Sequence, residues 1–544
     1  MTVILQKILG FFIVLEFILP LGSFAQKRIP PEKPKLVIGV IIEQMNNDDF
    51  FRYWDKFEDN GFKRIVNEGA ICKYTQYDYL ITQSLPGTAT ITTGCNPSVH
   101  GIVADSWPDI AAGKIIPGCG HGNYKATGKY SENYDGSPEN MLSTTIGDEL
   151  ILSGNGKSKV LSIAINPDLS VILAGHAANA AYWFDNNTGC WISNNYFVDS
   201  LPEWVNIFND KGLASVYLGK EWKSQMPLPV NKESTDATKK SNSGKTEYFS
   251  HILKSSQDKH QSFGILGETP FGDNIVKDFA IDAIVSEEMG KDQYPDVLFI
   301  TFSSTSRISR KFGVISAELE DSYLRLDKEI AHLLQFLDVN LGKENIVMFL
   351  TSCHGSAYDT EVMKKNKIPA GSFDADKAMI LLKAYLNALY RPGDWVKKYY
   401  NGQIFLNREL IEDSKIRIED FRRNVAEFMG QFSGVAAAIT ADYNPDGSKG
   451  ASDINKVLYS NYPKRCGDIF IVLEPNWMEI NSQPELMQTA NCPNVPLLWY
   501  GWKLNRVTIN RRVSVTDIVP TLANFLNIRR PQGCTGVPVT ELTE

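Results

Sequence analysis

Residues 301–327 read TFSSTSRISRKFGVISAELEDSYLRLD. The opening residues close an apolar run that begins with PDVLFITFS (295–303), as a buried strand would, and a polar segment of Ser, Arg and Lys follows. From about Ser316 to Asp338 apolar residues recur at helical spacing, so the stretch predicts a strand, a short loop and a long helix. That is the repeating unit of an α/β fold, in which side chains that do chemistry gather just beyond the carboxyl ends of strands. The loop offers Ser306, Arg307, Ser309 and Arg310, with neither a carboxylate nor a histidine.

The same alternation extends outward. LVIGVIIE (36–43) is a continuous apolar run, expected of a strand buried on both faces, and a helical pattern covers roughly 48–67. ITQSLPGTATITTGCNPSVHGIVADSW (81–107) reads as a strand end, a Pro-Gly turn and a small-residue segment that opens a helix. Further strands are expected at KVLSIAI (159–165), VILAG (171–175), AAYWFD (180–185), NIVMFLTS (345–352), DIFIVLEP (468–475) and VPLLWY (495–500). Helical patterns fall at 376–390, 417–432 and 514–528. The expectation is an α/β protein with a large, mostly parallel central sheet covered by helices on both faces. Insertions at about 186–273 and about 360–465 would cap it. Four strand ends carry the candidates for chemistry: Glu43, Ser84, Ser306 and Cys353-His354.

The totals narrow the function classes. With 544 residues, 43% of them hydrophobic and 22% charged, the chain is long enough for one large domain with insertions or for two to three smaller ones. A net charge of −8 and no strong basic run argue against nucleic-acid partners, which demand clustered Lys and Arg. The N-terminus has a secretory pattern: Lys7, an apolar stretch from Ile8 to Leu21, and Ser23-Phe24-Ala25 as a small-x-small cleavage site. A signal peptide over 1–25 and a mature chain from about Gln26, periplasmic or secreted and without a membrane span, are expected; the alternative is an uncleaved anchor. Eight cysteines form an even set, too sparse for a disulfide scaffold and consistent with a few local bridges.

Six fragments in chain order carry a resemblance: VIIEQM, LPGTATITTGCNPSVHGI, KFGVISAELEDSYLRLD, LTSCHG, VPLLWYG, and TDIVPTLANFLNI with GCTGVPV. Together they resemble the alkaline phosphatase superfamily, close to the PafA-type exported monomeric phosphatases and the nucleotide pyrophosphatase/phosphodiesterase group. The resemblance implies a monomer that binds two zinc ions, one activating a Ser or Thr nucleophile and the other the leaving group, through three Asp and three His.

Carried over position by position, that resemblance implies a degenerate site. Ser84 stands at the nucleophile position. The first metal-ligand Asp is Glu43, the Asp and His of the second metal segment are Ser306 and Arg310, the Asp-His pair is Cys353-His354, and the last His is Asn494. Only His354 survives unchanged. The phosphate-holding Asn falls at Asp105, and the Lys and Arg of a K-x-R segment fall at Asn166 and Asp168. Ser306, Arg310 and Asn494 describe a lost metal site, because Arg has no lone pair to offer. Glu43, Cys353 and His354 would make at most one three-ligand zinc site beside Ser84. Cys353 is alternatively a buried small hydrophobe, or half of a Cys353–Cys492 bridge across the site. His354 is alternatively a core hydrogen-bonding group, and Ser84 a helix cap.

Two functional readings follow. The first is a pseudophosphatase that binds an unidentified small-molecule or protein ligand and holds no cofactor. The second is an active phosphomonoesterase or phosphodiesterase using Ser84 with at most one zinc, Arg310 supplying the missing positive charge.

Overall fold

The computed structural model describes residues 32–130, 132–227, 249–253, 262–358, 360–442, 452–481 and 492–543. The signal segment read over 1–25 lies outside the described residues, as do parts of the 186–273 and 360–465 stretches. Pro34–Glu544 clusters as one body.

Its centre is a ten-stranded sheet. The strands are β1 Leu36–Ile42, β2 Ala70–Gln76, β3 Ala126–Thr127, β4 Val160–Ala164, β5 Ala180–Phe184, β6 Trp191–Asn194, β7 Asp296–Phe302, β8 Ile346–Thr351, β9 Asn494–Gly501 and β10 Val507–Ser514. They lie in the order β10-β2-β9-β8-β1-β7-β4-β5-β6-β3. The middle of the sheet is parallel: β1 pairs with β7 and β8, β7 with β4, and β4 with β5. Antiparallel pairs flank it, β8 with β9 and β5 with β6.

Six helices matter for the site: α1 Ser84–Thr93, α2 Pro167–Ala174, α3 Phe271–Ser286, α4 Ser304–Phe312, α5 Ala317–Asn340 and α6 Ile518–Leu526. Because side chains alternate across a strand, β1 divides its apolar residues between two cores. Leu36, Ile38, Val40 and Ile42 pack with Phe279 of α3 and Ile330, Leu333 and Leu337 of α5. Val37 and Ile41 pack on the other face with Ile518, Leu522 and Leu526 of α6. The central strand is covered on both sides, as its unbroken apolar run required. No helix among the described residues is long and apolar enough to cross a membrane.

Four expectations change. The segment after β7 is not a loop: Ser304–Phe312 is α4, ended by Gly313 in a left-handed conformation (φ 95°) before Ser316 caps α5. Its polar composition hid it, since Ile308 and Phe312 are its only strongly apolar residues. VILAG (171–175) falls almost wholly within α2. Asn166 caps that helix by accepting from the Asp168 N–H at 3.0 Å, and Pro167 opens it. Leu169–Ala174 is buried all round, so an apolar run with no period was mistaken for a strand. The Pro-Gly turn at 86–87 lies inside the first turn of α1, where a proline needs no N–H partner. The helical pattern over 48–67 is broken into Asn47–Arg52, Trp54–Lys56 and Phe62–Glu68.

The stretch from 186 begins within the central sheet, as β6. The strand at Ile469–Leu473 joins a separate antiparallel sheet with Val396–Tyr400, Gln403–Leu406 and Val435–Thr440. The helices Ala375–Leu389 and Ile418–Met429 pack on that sheet through Leu382, Phe421 and Val425.

Candidate active site

The adjacent parallel strands β8, β1, β7 and β4 open their carboxyl ends on one edge of the sheet. Glu43 and Gln44 follow β1, Ser306 and Arg310 ride on α4 after β7, Cys353-His354 follows β8, and Asn166 and Asp168 follow β4. Ser84, the first residue of α1, meets them. Its approach depends on Gly87, because a Cβ there would stand 1.7 Å from the Cys353 carbonyl oxygen. Glycine lets the helix press against the end of β8.

Ser84 does not cap its helix; Gln83 occupies the N-cap position. The Ser84 Oγ lies 3.1 Å from Glu43 Oε1 and 3.2 Å from His354 Nε2. His354 Nδ1 lies 2.7 Å from the Gly355 carbonyl oxygen, which can only accept, so Nδ1 carries a proton. Burial holds the His354 pKa below the ordinary imidazole value, with Arg310 lowering it further. The ring is therefore neutral at neutral pH, and its Nε2 lone pair faces Ser84. One hydroxyl proton has two acceptors.

The α4 side is arranged differently. Arg310, with its side chain 61% exposed, extends Nη2 to 3.8 Å from Glu43 Oε1. Ser306, one turn earlier, donates to Gln44 Oε1 at 2.9 Å, and Thr305 donates to the Glu43 carbonyl oxygen at 3.0 Å. These bonds fasten both neighbours of a strained turn, for Gln44 is a non-glycine residue at φ 63°. Asn494 opens β9 in register with Gln76, its side chain exposed. Its backbone carbonyl oxygen lies 3.1 Å from the point a Cβ on Gly355 would take, which keeps the position at the rim of the site.

The substrate-side positions are engaged with the protein itself. Asp105 Oδ1 accepts from the Leu85 N–H at 2.8 Å, in the first turn of α1, where unpaired N–H groups and the helix dipole attract an anion. Gln83 Oε1 accepts in return from the Asp105 N–H at 2.9 Å. Asp105 is open to solvent at the surface of the cleft yet crowded by protein within it. That crowding pushes its carboxyl up to about 6, with Glu43 and Asp168 adding repulsion. Asn166 is spent as the cap of α2, and Asp168 Oδ1 accepts from the Tyr134 hydroxyl.

Cys353 lies in the apolar cluster with Tyr77, Tyr79 and Ile91, and burial raises its thiol pKa far above the ordinary range. The Cys353–Cys492 bridge is absent. Both thiols are free, although the Cys492 carbonyl oxygen accepts from the Gly355 N–H at 2.9 Å. Gln44, Gln83 and Tyr134 were missed as site residues; only the placement of Gln44 and Gln83 beside Glu43 and Ser84 hinted at them.

A pair of zinc ions does not fit this donor set. A guanidinium reaches toward Glu43 where a metal ligand would stand, and Ser306 turns to Gln44. Among the described residues, which include all six carried-over ligand positions, no group of three or more His, Cys, Asp and Glu side chains stands where it could hold a metal ion. Glu43 and His354 converge on Ser84, but the buried Cys353 thiol does not complete a third ligand.

The sheet order, the serine at the head of α1 and the strand-end segments around it define the alkaline phosphatase superfamily architecture. The chain belongs to the type I phosphodiesterase / nucleotide pyrophosphatase family, whose pattern it matches over residues 37–489. It is similar to alkaline phosphatase PafA of Elizabethkingia meningoseptica, at 31% identity over 526 residues, covering 95% of this chain and 96% of that one. It is also similar to a Myroides odoratus protein named calcium-transporting ATPase, at 34% identity over 526 residues, covering 94% and 95%. The crystal structure of wild-type PafA aligns with a TM-score of 0.85 at 30% identity, over 94% of this chain and 99% of that one.

Proposed function

We propose that this chain is an exported, monomeric pseudophosphatase, a family member that keeps the strand-end cleft as a binding site and has given up two-metal phosphoryl transfer. The observation that carries the reading is a double exchange of charge. Arg310 extends a fixed cation to Glu43 on the metal side, and the Asp105 carboxylate sits on the Leu85 N–H at the head of α1. A phosphate dianion entering there would meet a resident anion and find no metal. Export rests on the secretory pattern of residues 1–25. The test is elemental analysis of the purified full-length protein together with turnover of an aryl phosphate and a bis-aryl phosphate. The expected result is substoichiometric zinc and turnover no greater than that of Ser84→Ala. Stoichiometric zinc with Ser84-dependent turnover would overturn the reading.

One observation favours a second reading, a metal-free ester hydrolase. Ser84 has a neutral imidazole at 3.2 Å, oriented by the Gly355 carbonyl, which is the geometry of an activated nucleophile and its base. Labelling by a fluorophosphonate probe separates the two readings. Modification at Ser84 that is lost in His354→Ala supports the hydrolase, and inertness supports the pseudophosphatase.

A further inference from the structure

The far end of α1 meets the chain's C-terminal segment. Gly94 ends the helix in a left-handed conformation (φ 69°), and its carbonyl oxygen accepts from the Thr535 N–H at 3.0 Å and the Gly536 N–H at 3.3 Å. The same segment is fastened on its other side. The Gln532 N–H donates to Thr144 Oγ1 at 2.9 Å, and the Gln532 carbonyl oxygen accepts from the Ser143 hydroxyl. Cys95 directly follows Gly94 and Cys534 directly precedes Thr535, so one backbone hydrogen bond brings the two cysteines onto facing positions of neighbouring chain segments.

Both cysteines are free thiols in the structure, and the side chain of Cys534 turns toward the end of α1. Cys534 Sγ lies 2.8 Å from the point a Cβ on Gly94 would take. The Cys95 Sγ lies 3.3 Å from Thr93 Oγ1 and is fully buried, while Cys534 is half-buried. Burial raises both thiol pKa values, and the Cys95 thiol raises that of Cys534 further. Neither cysteine has a part in the cleft, which lies at the opposite end of α1.

We propose that Cys95 and Cys534 pair as a disulfide when the chain folds in an oxidising compartment. The bond forms by thiol–disulfide exchange with a disulfide-bearing oxidant, a protein or glutathione disulfide. The two thiols give up two protons and two electrons, one S–S bond forms in this chain, and the one in the oxidant breaks to leave two thiols. Exchange precedes final closure, because Cys95 is sealed in the finished fold. The link joins the C-terminal segment to the helix that presents Ser84 and constrains the unfolded chain over most of its length.

The test uses the full-length protein directed to an oxidising compartment, acid-quenched, denatured, alkylated with N-ethylmaleimide and digested without reductant. The expected map joins the Cys95 peptide to the Cys534 peptide, and dithiothreitol separates them. Alkylation of both cysteines, or a bond from either to a third, would overturn the proposal. Thermal unfolding supplies a second measurement. Cys95→Ser and Cys534→Ser should each lower Tm by about 5 °C, the double variant by no more than the larger single loss, and dithiothreitol should lower the wild type similarly. Additive losses in the double variant would also overturn it.

Discussion

The cleft has two halves built on one sheet, and they have fared differently. Around β1, β8 and α1, Glu43, Ser84 and His354 are buried and meet at 3.1 and 3.2 Å. Around β7 and β9, Ser306 turns to Gln44, Arg310 is mostly exposed and Asn494 opens outward at a sheet terminus. Both halves stand on the one central sheet, so membership of the sheet does not distinguish them. The side chains do. The first half is held by backbone close-packing at Gly87, and in the second the Ser306 hydroxyl bonds Gln44 while Arg310 reaches Glu43 from solvent.

The largest expected effect comes from rebuilding the second half together with Cys353 beside the first. Ser306→Asp, Arg310→His, Cys353→Asp and Asn494→His together should give zinc binding with Kd in the micromolar range or tighter, about 8 kcal/mol, and calorimetry of the parent should show none. Failure to bind would mean that the backbone of the second half has moved, and that the halves differ in more than side chains. Next in size is Gly87→Ala. The added methyl would meet the Cys353 carbonyl at 1.7 Å, which backbone cannot relieve cheaply, so denaturant unfolding should show a loss on the order of 3–5 kcal/mol. A loss below about 1 kcal/mol would show that α1 is not pressed on β8 as described.

That contrast also explains how much was readable beforehand. β1, β7 and β8 were legible because strands buried on both faces must be apolar throughout, and α5 because one face of a long helix must be. The segment Ser304–Phe312 and the run Val171–Gly175 were misread for opposite reasons, one too polar and the other too uniformly apolar to show a period. In the site, the resemblance located Glu43, Ser84, Arg310 and His354. It did not reveal the bond from Asp105 to the Leu85 N–H, or the capture of Ser306 by Gln44. Both are contacts between residues distant in the chain, and no local pattern encodes them. Of the two alternatives for Cys353, the structure shows the buried small hydrophobe and not the bridge to Cys492.

A smaller effect tests the head of α1. The Asp105 carboxyl titrates near 6 in the folded chain, above its unfolded value, so the native state binds more protons across the interval between them. Its contribution is present in full below the unfolded value and lost as pH rises through about 6. Asp105→Asn retains an oxygen for the Leu85 N–H but removes the charge. It should flatten the fall in stability between about pH 4 and 6 relative to wild type, by no more than about 1 kcal/mol because the group is exposed to screening water. Identical pH profiles of wild type and variant would remove Asp105 from the electrostatic description.

The smallest effect belongs to Arg310, and it bears most directly on the comparison. An ion pair at 3.8 Å whose guanidinium is mostly in water gains little Coulomb energy and orders a long side chain, so Arg310→Ala should change unfolding stability by about 0.5 kcal/mol or less. Burial is the main cause that holds the His354 pKa down and Arg310 adds a smaller push, so the imidazole should titrate at slightly higher pH in the variant, as followed by NMR. A small change in stability with a small upward move of His354 is what a loosely held half acting on a tightly held one requires. If stability instead fell by more than about 1 kcal/mol, Arg310 would be part of the packed structure, and the division of the cleft into a rigid half and a loosely held one would no longer stand.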